Sequence, residues 1–330
     1  LTQLHTCPID STEFRADLKR FAGVCAVVNG LKGARIAMLG ARPIAFNTVR
    51  FSEKILQKHG VSVQTVDFSE LIFNAMNYKD EKKVAEKIAE IRAYGSVPEW
   101  ISPEVMEKQA KLCLAISEKV DELQCGASTV QCWDSVENNY GCATCLAMSM
   151  MGESGKPSAC ESDVTGALSM LAAHLASGGA TALMDWNNNL REDRNACISL
   201  HCSNFPKSFF ASDVEIECLD VLGSTLGKAN CFGACKGQVA AGDVTFLRFT
   251  TDDQRGILKA YVGEGEFRAE ALPTKGGLAN CYIENLQGLM RYICENGYEH
   301  HVCFVRGHVA DILEEALTKY MGVQVYRHRG

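Results

Sequence analysis

Little in this sequence breaks a chain. Only seven prolines occur in 330 residues, and 47% of the residues are hydrophobic, so disorder is excluded and there is apolar surface for two ordinary cores. Basic residues are in deficit, 33 Lys and Arg against 40 Asp and Glu, and the formal net charge is −7. With no cluster of Lys and Arg interleaved with aromatics, the chain has no electrostatic footprint for nucleic acid. No apolar run approaches the roughly 20 residues that span a bilayer, and the opening segment LTQLHTCPIDSTEF lacks the basic-then-apolar layout of a signal peptide. The expectation is a soluble cytoplasmic protein. Nucleotide loops are missing as well: GARP (40–43) has neither GxGxxG nor a P-loop lysine and reads as a strand-to-helix turn. GEGEF (263–267) reads as a hairpin between strands, and there is no internal repeat or low-complexity segment.

Cysteine, by contrast, is abundant. The 16 cysteines lie inside apolar runs such as GVCAVV, ACISLHC, NCYIE and HHVCFV, which suits reduced thiols buried as small hydrophobes in a reducing cytosol, as in an anaerobe. Cys142 and Cys145 form a CxxC, with Cys132 and Cys160 near in sequence and Cys231 and Cys235 as a second pair. A zinc module needs two short pairs together, and a redox pair needs an exposed first thiol, so chance pairing explains these better.

Periodicity predicts an α/β fold. A helix over 11–28 precedes the strand ARIAMLG (34–40), a helical segment through Lys58 and the strand VSVQTVD (61–67). Helical patterns follow at 80–93 and 103–123, then a strand near 127–133 and a helix over 142–151. The next helix, about 162–176, carries Val164, Ala167, Leu168, Leu171 and Leu175 at helical spacing and stops at Gly178 and Gly179. A doubly wound parallel domain over 1–177 is expected to close there. From 178 to 330 the texture is mixed and mostly β: QVAAGDVTFLRFTTD and GILKAYVGEGEF alternate as antiparallel strands. Helices at 285–295 and 309–321 flank the strand HHVCFVRG, and GVQVYR is a last strand.

The stretch ACESDVTGALSMLAAHLASGGATALMDWNNN (159–189) sets Glu161 beside an apolar helix and Asp185 at the end of an apolar strand. Carboxylates at the ends of buried elements are costly unless paired, hydrogen-bonded or bound to a cation, and open α/β sheets place ligands there. Asp163 reads as a helix cap, whereas for Glu161 capping and catalysis weigh about evenly. His300 and His301 open an apolar strand, so one should point inward and the other away. An inward imidazole beside two carboxylates would suit Mn²⁺ or Fe²⁺. His201 ends an apolar strand and is a fourth ligand, a substrate contact or a structural residue. His308 reads as a cap or a supporting group, and His5, His59, His174 and His328 have no acidic or histidine company.

The set QCWDSVENNYGCATCLAMSMMGESGKPSACESDVTGALSM, ALMDWN and HHVCFVRGHVADIL resembles the L-fucose and L-arabinose isomerase family, over nearly the whole chain. The resemblance implies two flavodoxin-like α/β domains followed by a mostly β C-terminal domain. This sequence matches the second and third, so Leu1 is expected to be an internal position of a longer protein. By the same resemblance Glu161, Asp185 and His301 hold a catalytic Mn²⁺, and His201 falls near an additional histidine of the arabinose branch. The implied reaction is aldose–ketose isomerisation through an ene-diol, with Glu161 and Asp185 as acid and base and Trp133 packed on the sugar. The family's sites are completed by a neighbouring subunit of a homo-oligomer, a trimer or hexamer when full-length. This chain is therefore expected to keep the ligands yet turn over poorly. One rival is a catalytically silent sugar-binding or regulatory protein on the same scaffold, and the other a thiol redox protein using Cys142 and Cys145.

Overall fold

The computed structural model describes residues 7–270, 272 and 276–330; Leu1 and His5 lie outside the described residues. The first half runs α1 (Thr12–Leu31), β1 (Arg35–Leu39), α2 (Glu53–Lys58), β2 (Ser62–Val66), α3 (Phe68–Met76), α4 (Glu81–Tyr94), β3 (Gly95–Ser96), α5 (Pro103–Glu122), β4 (Ala127–Val130), α6 (Ser135–Asn139), α7 (Cys145–Glu153), β5 (Ser158–Cys160) and α8 (Val164–Ser177). The second half runs β6 (Thr181–Asn189), β7 (Ala196–His201), β8 (Val214–Cys218), α9 (Asp220–Leu226), β9 (Phe232–Gln238), β10 (Gly242–Asp252), β11 (Ile257–Arg268), β12 (Gly277–Tyr282), α10 (Leu286–Glu295), β13 (His301–Arg306), α11 (Ala310–Glu315) and β14 (Gln324–Arg327).

Four strands of the first half form a parallel sheet in the order β2-β1-β4-β5. Alternation along β1 buries its two faces in different cores. Ile36 packs with Val24 and Val27 of α1 and Leu168 of α8, whereas Ala37 and Leu39 pack with Leu71 of α3 and Ile116 of α5. Helices thus cover both faces, as a parallel sheet requires. Side-chain caps start these helices: Ser11, Asp67, Asp80, Ser102 and Asp163 each accept from an amide of the first turn.

The second sheet closes on itself. Its order is β14-β11-β10-β13-β6-β7-β12-β9-β8-β3, and β11 also pairs with β12, so β11-β10-β13-β6-β7-β12 is a closed antiparallel ring. Phe246, Tyr261, Phe267 and Phe304 fill it, and Phe267 reaches Phe304 at 5.0 Å across an intervening strand, as residues do across a barrel interior.

Two expectations need correction, and one pairing was not foreseen. GEGEF is not a hairpin: β11 runs through it as one strand, and the turn lies before it, at 253–256. Its glycines permit close approach, because a Cβ on Gly265 would sit 2.6 Å from the Tyr282 carbonyl oxygen, and one on Gly263 would enter the Phe246 ring. GARP is not a short turn, because residues 41–52 form a loop with one 3₁₀ turn at Asn47–Val49 before α2 begins. Strand β3, finally, lies in the first half but pairs with β8, a register that no local pattern signals.

Candidate metal and active site

Glu161 sits where β5 ends. The Asp163 amide donates to the Cys160 carbonyl at 3.1 Å, while Glu161 and Ser162 between them are left-handed, with φ of 63° and 57°. This is the pattern of a type I′ turn, which ordinarily recruits Gly or Asn. Left-handed conformation in other residues costs of order 1–3 kcal/mol each and collects at functional sites. The turn aims Glu161 off the carboxyl edge of the parallel sheet, where open α/β sheets bind ligands.

The barrel brings the other groups. Cross-strand pairing of His301 with Asp185 sets their side chains on one face. His301 Nε2 lies 3.1 Å from Glu161 Oε2 and 3.4 Å from Asp185 Oδ1, yet is aligned with neither as a hydrogen bond. His201 Nε2 lies 3.9 Å from Glu161 Oε1, and its ring centroid is 5.5 Å from that of His301. Glu161, His201 and His301 are buried, whereas the Asp185 side chain is 24% exposed and meets solvent. The expectation for the histidine pair holds for His301 and only in part for its neighbour. His300 turns outward but not away, with Nε2 3.6 Å from Asp185 Oδ1 and Nδ1 3.2 Å from Thr48 Oγ1.

Behind His301 lies a network that the sequence did not disclose. Its Nδ1–H donates to Asp163 Oδ2 at 2.8 Å. Asp163 caps α8 through the Gly166 amide at 2.8 Å and is gripped bidentately by Arg248, which also donates to Thr165 and, through Nε, to Glu299 at 3.1 Å. Glu299 in turn accepts from Thr250 Oγ1 at 2.7 Å. Arg248 is wholly buried. Burial by itself would raise the Asp163 pKa, but the Arg248 charge and the His301 hydrogen bond hold it far below the usual carboxylate range. Asp163 is therefore an acceptor only and fixes the proton of His301 on Nδ1, presenting Nε2 to the two other acids. Burial pulls the His301 pKa down, yet the Asp163 hydrogen bond and the negative charges of Asp163 and Glu161 raise it to about 10, so the imidazole favours positive charge at Nε2. The signal in the sequence was Arg248 itself, a charge inside the apolar strand TFLRFT.

Glu161 Oε2, Asp185 Oδ1 and His301 Nε2 all lack a hydrogen-bond partner. His301 Nε2 stands between the two carboxylates, and the oxygen and nitrogen atoms on either side of it are of the kind that hold a divalent cation. Both Glu161–His201–His301 and Asp185–His300–His301 have ligand atoms mutually within 4.8 Å.

Trp133 is not part of this cluster: it packs on Phe46 at 5.6 Å, with its Nε1 unpartnered. His308 pairs with Asp243 and Glu264, while His59, His174 and His328 bond to backbone carbonyls. Cys142 and Cys145 are buried, and burial pushes both thiols up, so the exposed first thiol of a redox pair is absent.

Residues 199–329, which contain His201 and His301, match the family model described as the L-fucose isomerase C-terminal domain. Over these residues the chain is similar to the fucose isomerases. Over most of its length the chain is also similar to curated sulfoquinovose isomerases. It is 23% identical over 315 residues to that of Priestia aryabhattai (93% of this chain, 67% of the relative) and 24% over 300 residues to that of Alkalicoccus urumqiensis (88% and 64%). A third, from a Clostridium species, is 28% identical over 193 residues (58% and 42%). The chain thus spans at most about two thirds of these relatives' length. The enzyme class expected from the sequence, an aldose–ketose isomerase, agrees with these relationships. No helix among the described residues is long and apolar enough to cross a membrane.

Proposed function

We propose that this chain carries the catalytic centre of a metal-dependent aldose–ketose isomerase that works through an ene-diol. The observation that carries the reading is that Glu161 Oε2 and Asp185 Oδ1 lie 3.1 and 3.4 Å from His301 Nε2, with no hydrogen-bond partner at any of the three atoms. Glu161, Asp185 and His301 would hold a divalent cation, with Mn²⁺ suited to the mixed oxygen and nitrogen set. Bound there, the cation would supply a Lewis acid for the sugar's O1 and O2. Asp185, at the exposed mouth, is placed to exchange the proton between C2 and C1, and Glu161, buried behind it, is the second acid–base group. His201 closes the side of the site next to Glu161 and is read as a substrate contact. Asp163, Arg248 and Glu299 position His301 and do not touch substrate.

The strand order β2-β1-β4-β5 supports a flavodoxin-like reading of residues 1–177, with 178–330 as the barrel domain. A cytoplasmic homo-oligomer, a trimer or hexamer when full-length, completes the proposal. The test is Mn²⁺ titration and aldose turnover for wild type, Glu161→Gln, Asp185→Asn and His301→Ala. One saturable site and metal-dependent turnover, lost in all three variants, is the expected result. Sugar binding that needs no metal and survives Glu161→Gln would replace the proposal with a silent sugar-binding scaffold.

A further inference from the structure

A cleft of about 880 Å³ is bounded by Ser162, next in sequence to Glu161, and Glu299 on one side and by the loop 41–52 on the other. The loop is pinned to the site at several points. The Ala41 amide donates to Gln131 at 2.9 Å, Ser162 Oγ donates to the Ala41 carbonyl at 3.1 Å, Thr48 Oγ1 bonds His300 at 3.2 Å, and the Ser52 amide donates to Thr251 at 3.0 Å. It is a preformed wall of the site at the carboxyl end of β1.

This wall carries two guanidinium groups anchored on one residue. Arg42 Nη1 donates to the Asn47 side chain at 3.1 Å and to the Pro43 carbonyl at 3.2 Å, and Arg50 Nε donates to the Asn47 carbonyl at 2.9 Å. Neither arginine makes an ion pair among the described residues. The cleft's own acids do not supply a partner: Asp252 is taken by Lys259 and the Arg255 amide, Glu299 by Arg248 and Thr250, and Asp253 is exposed to water. Two like charges held on one short segment, with donors left over and no counter-ion, repel each other until an anion lies between them. Guanidinium forks match the paired oxygens of sulfonate, phosphate and carboxylate. The segment also contains Thr48, which bonds His300, which faces Asp185. Through Thr48 and His300 the arginine loop is thus linked to the mouth of the site at Asp185.

We propose that Arg42 and Arg50 form a subsite for an anionic substituent at the end of the aldose remote from its reacting carbons. This rests on the isomerase reading for the identity of the ligand, but not for the binding of the anion. The test uses four aldohexoses that differ only at C6: glucose, glucuronate, glucose 6-phosphate and 6-deoxy-6-sulfoglucose. Affinity for the full-length protein is measured by calorimetry with and without Mn²⁺, and isomerisation is followed separately. At least one anionic sugar is expected to bind about tenfold or more tighter than glucose. The ratio should collapse in Arg42→Gln and Arg50→Gln, and in wild type it should shrink as salt rises from low to high ionic strength. The sugar with the largest ratio identifies the oxyanion. Equal affinity for all four sugars, no binding of any, or a ratio unchanged in both variants would overturn the subsite. Anion-selective binding without turnover of any sugar, at any metal loading, would instead overturn the isomerase reading and leave the subsite standing.

Discussion

Asp163 illustrates how one side chain can carry several obligations. It caps α8, orients His301 and neutralises Arg248 in a site closed to water. Asp163→Asn keeps the shape but removes the charge, and Mn²⁺ affinity is expected to fall about 10–100-fold, measured by calorimetry, as for other acids behind metal-bound histidines. Arg248→Met leaves Asp163 and Glu299 buried without their counter-charge and should cost about 3–5 kcal/mol in denaturant unfolding. The double variant Asp163→Asn/Arg248→Met should cost less than the sum of the two, because their effects pass through one bond. Glu137 offers a separate check. It is buried, neither of its carboxylate oxygens has a partner, and burial raises its pKa from 4.5 to about 8. Below about pH 4.5 folded and unfolded states both hold the proton; between the two values only the folded state does. Stability is therefore expected to decline as pH rises from about 4.5 to 8, by on the order of 2–4 kcal/mol, and Glu137→Gln should remove that component of the pH profile.

At the scale of elements, the N-terminus of α8 holds the cluster together. A Cβ on Gly166 would lie 2.7 Å from Asp163 Cγ and 3.0 Å from Arg248 Nη1. Gly166→Ala is thus expected to push the cap off its partners and to weaken metal binding although residue 166 touches no ligand, whereas Gly178→Ala, with open space around it but φ of 73°, should lower stability alone. Calorimetry against thermal melts separates the two. Period and capping made α5, α8 and α10 legible in the sequence to within a few residues, because each is a long apolar stripe bounded by a cap or a stop. The loop 41–52 and the glycines of β11 were not, because their conformations answer to contacts far along the chain: Gln131, His300 and Thr251 for the loop, Phe246 and Tyr282 for the strand. Glu161, Asp185, His201 and His301 were singled out as acids and histidines at element ends. Glu299 and Thr165 had no such mark, since only the register of β10 against β13 and the approach of α8 bring them to Arg248.

In the molecule as a whole, the site is a seam. Glu161 comes from the edge of the parallel sheet and Asp185 and His301 from the barrel, so a cation between them would tie the two sheets. Mn²⁺ well above its dissociation constant should raise the melting temperature by several degrees over chelator-treated protein, and Glu161→Gln should abolish that shift. The seam also bears on how the sequence can change. Replacing Arg248 strands two buried acids, and replacing Asp163 or Glu299 strands a buried arginine, so no single step out of this arrangement is cheap. Positions 163, 248 and 299 are consequently expected to be inherited as a block: descendants keep all three or exchange them together, whereas Arg42 and Arg50, half-buried and exposed on their loop, are free to drift with whatever the cleft must recognise.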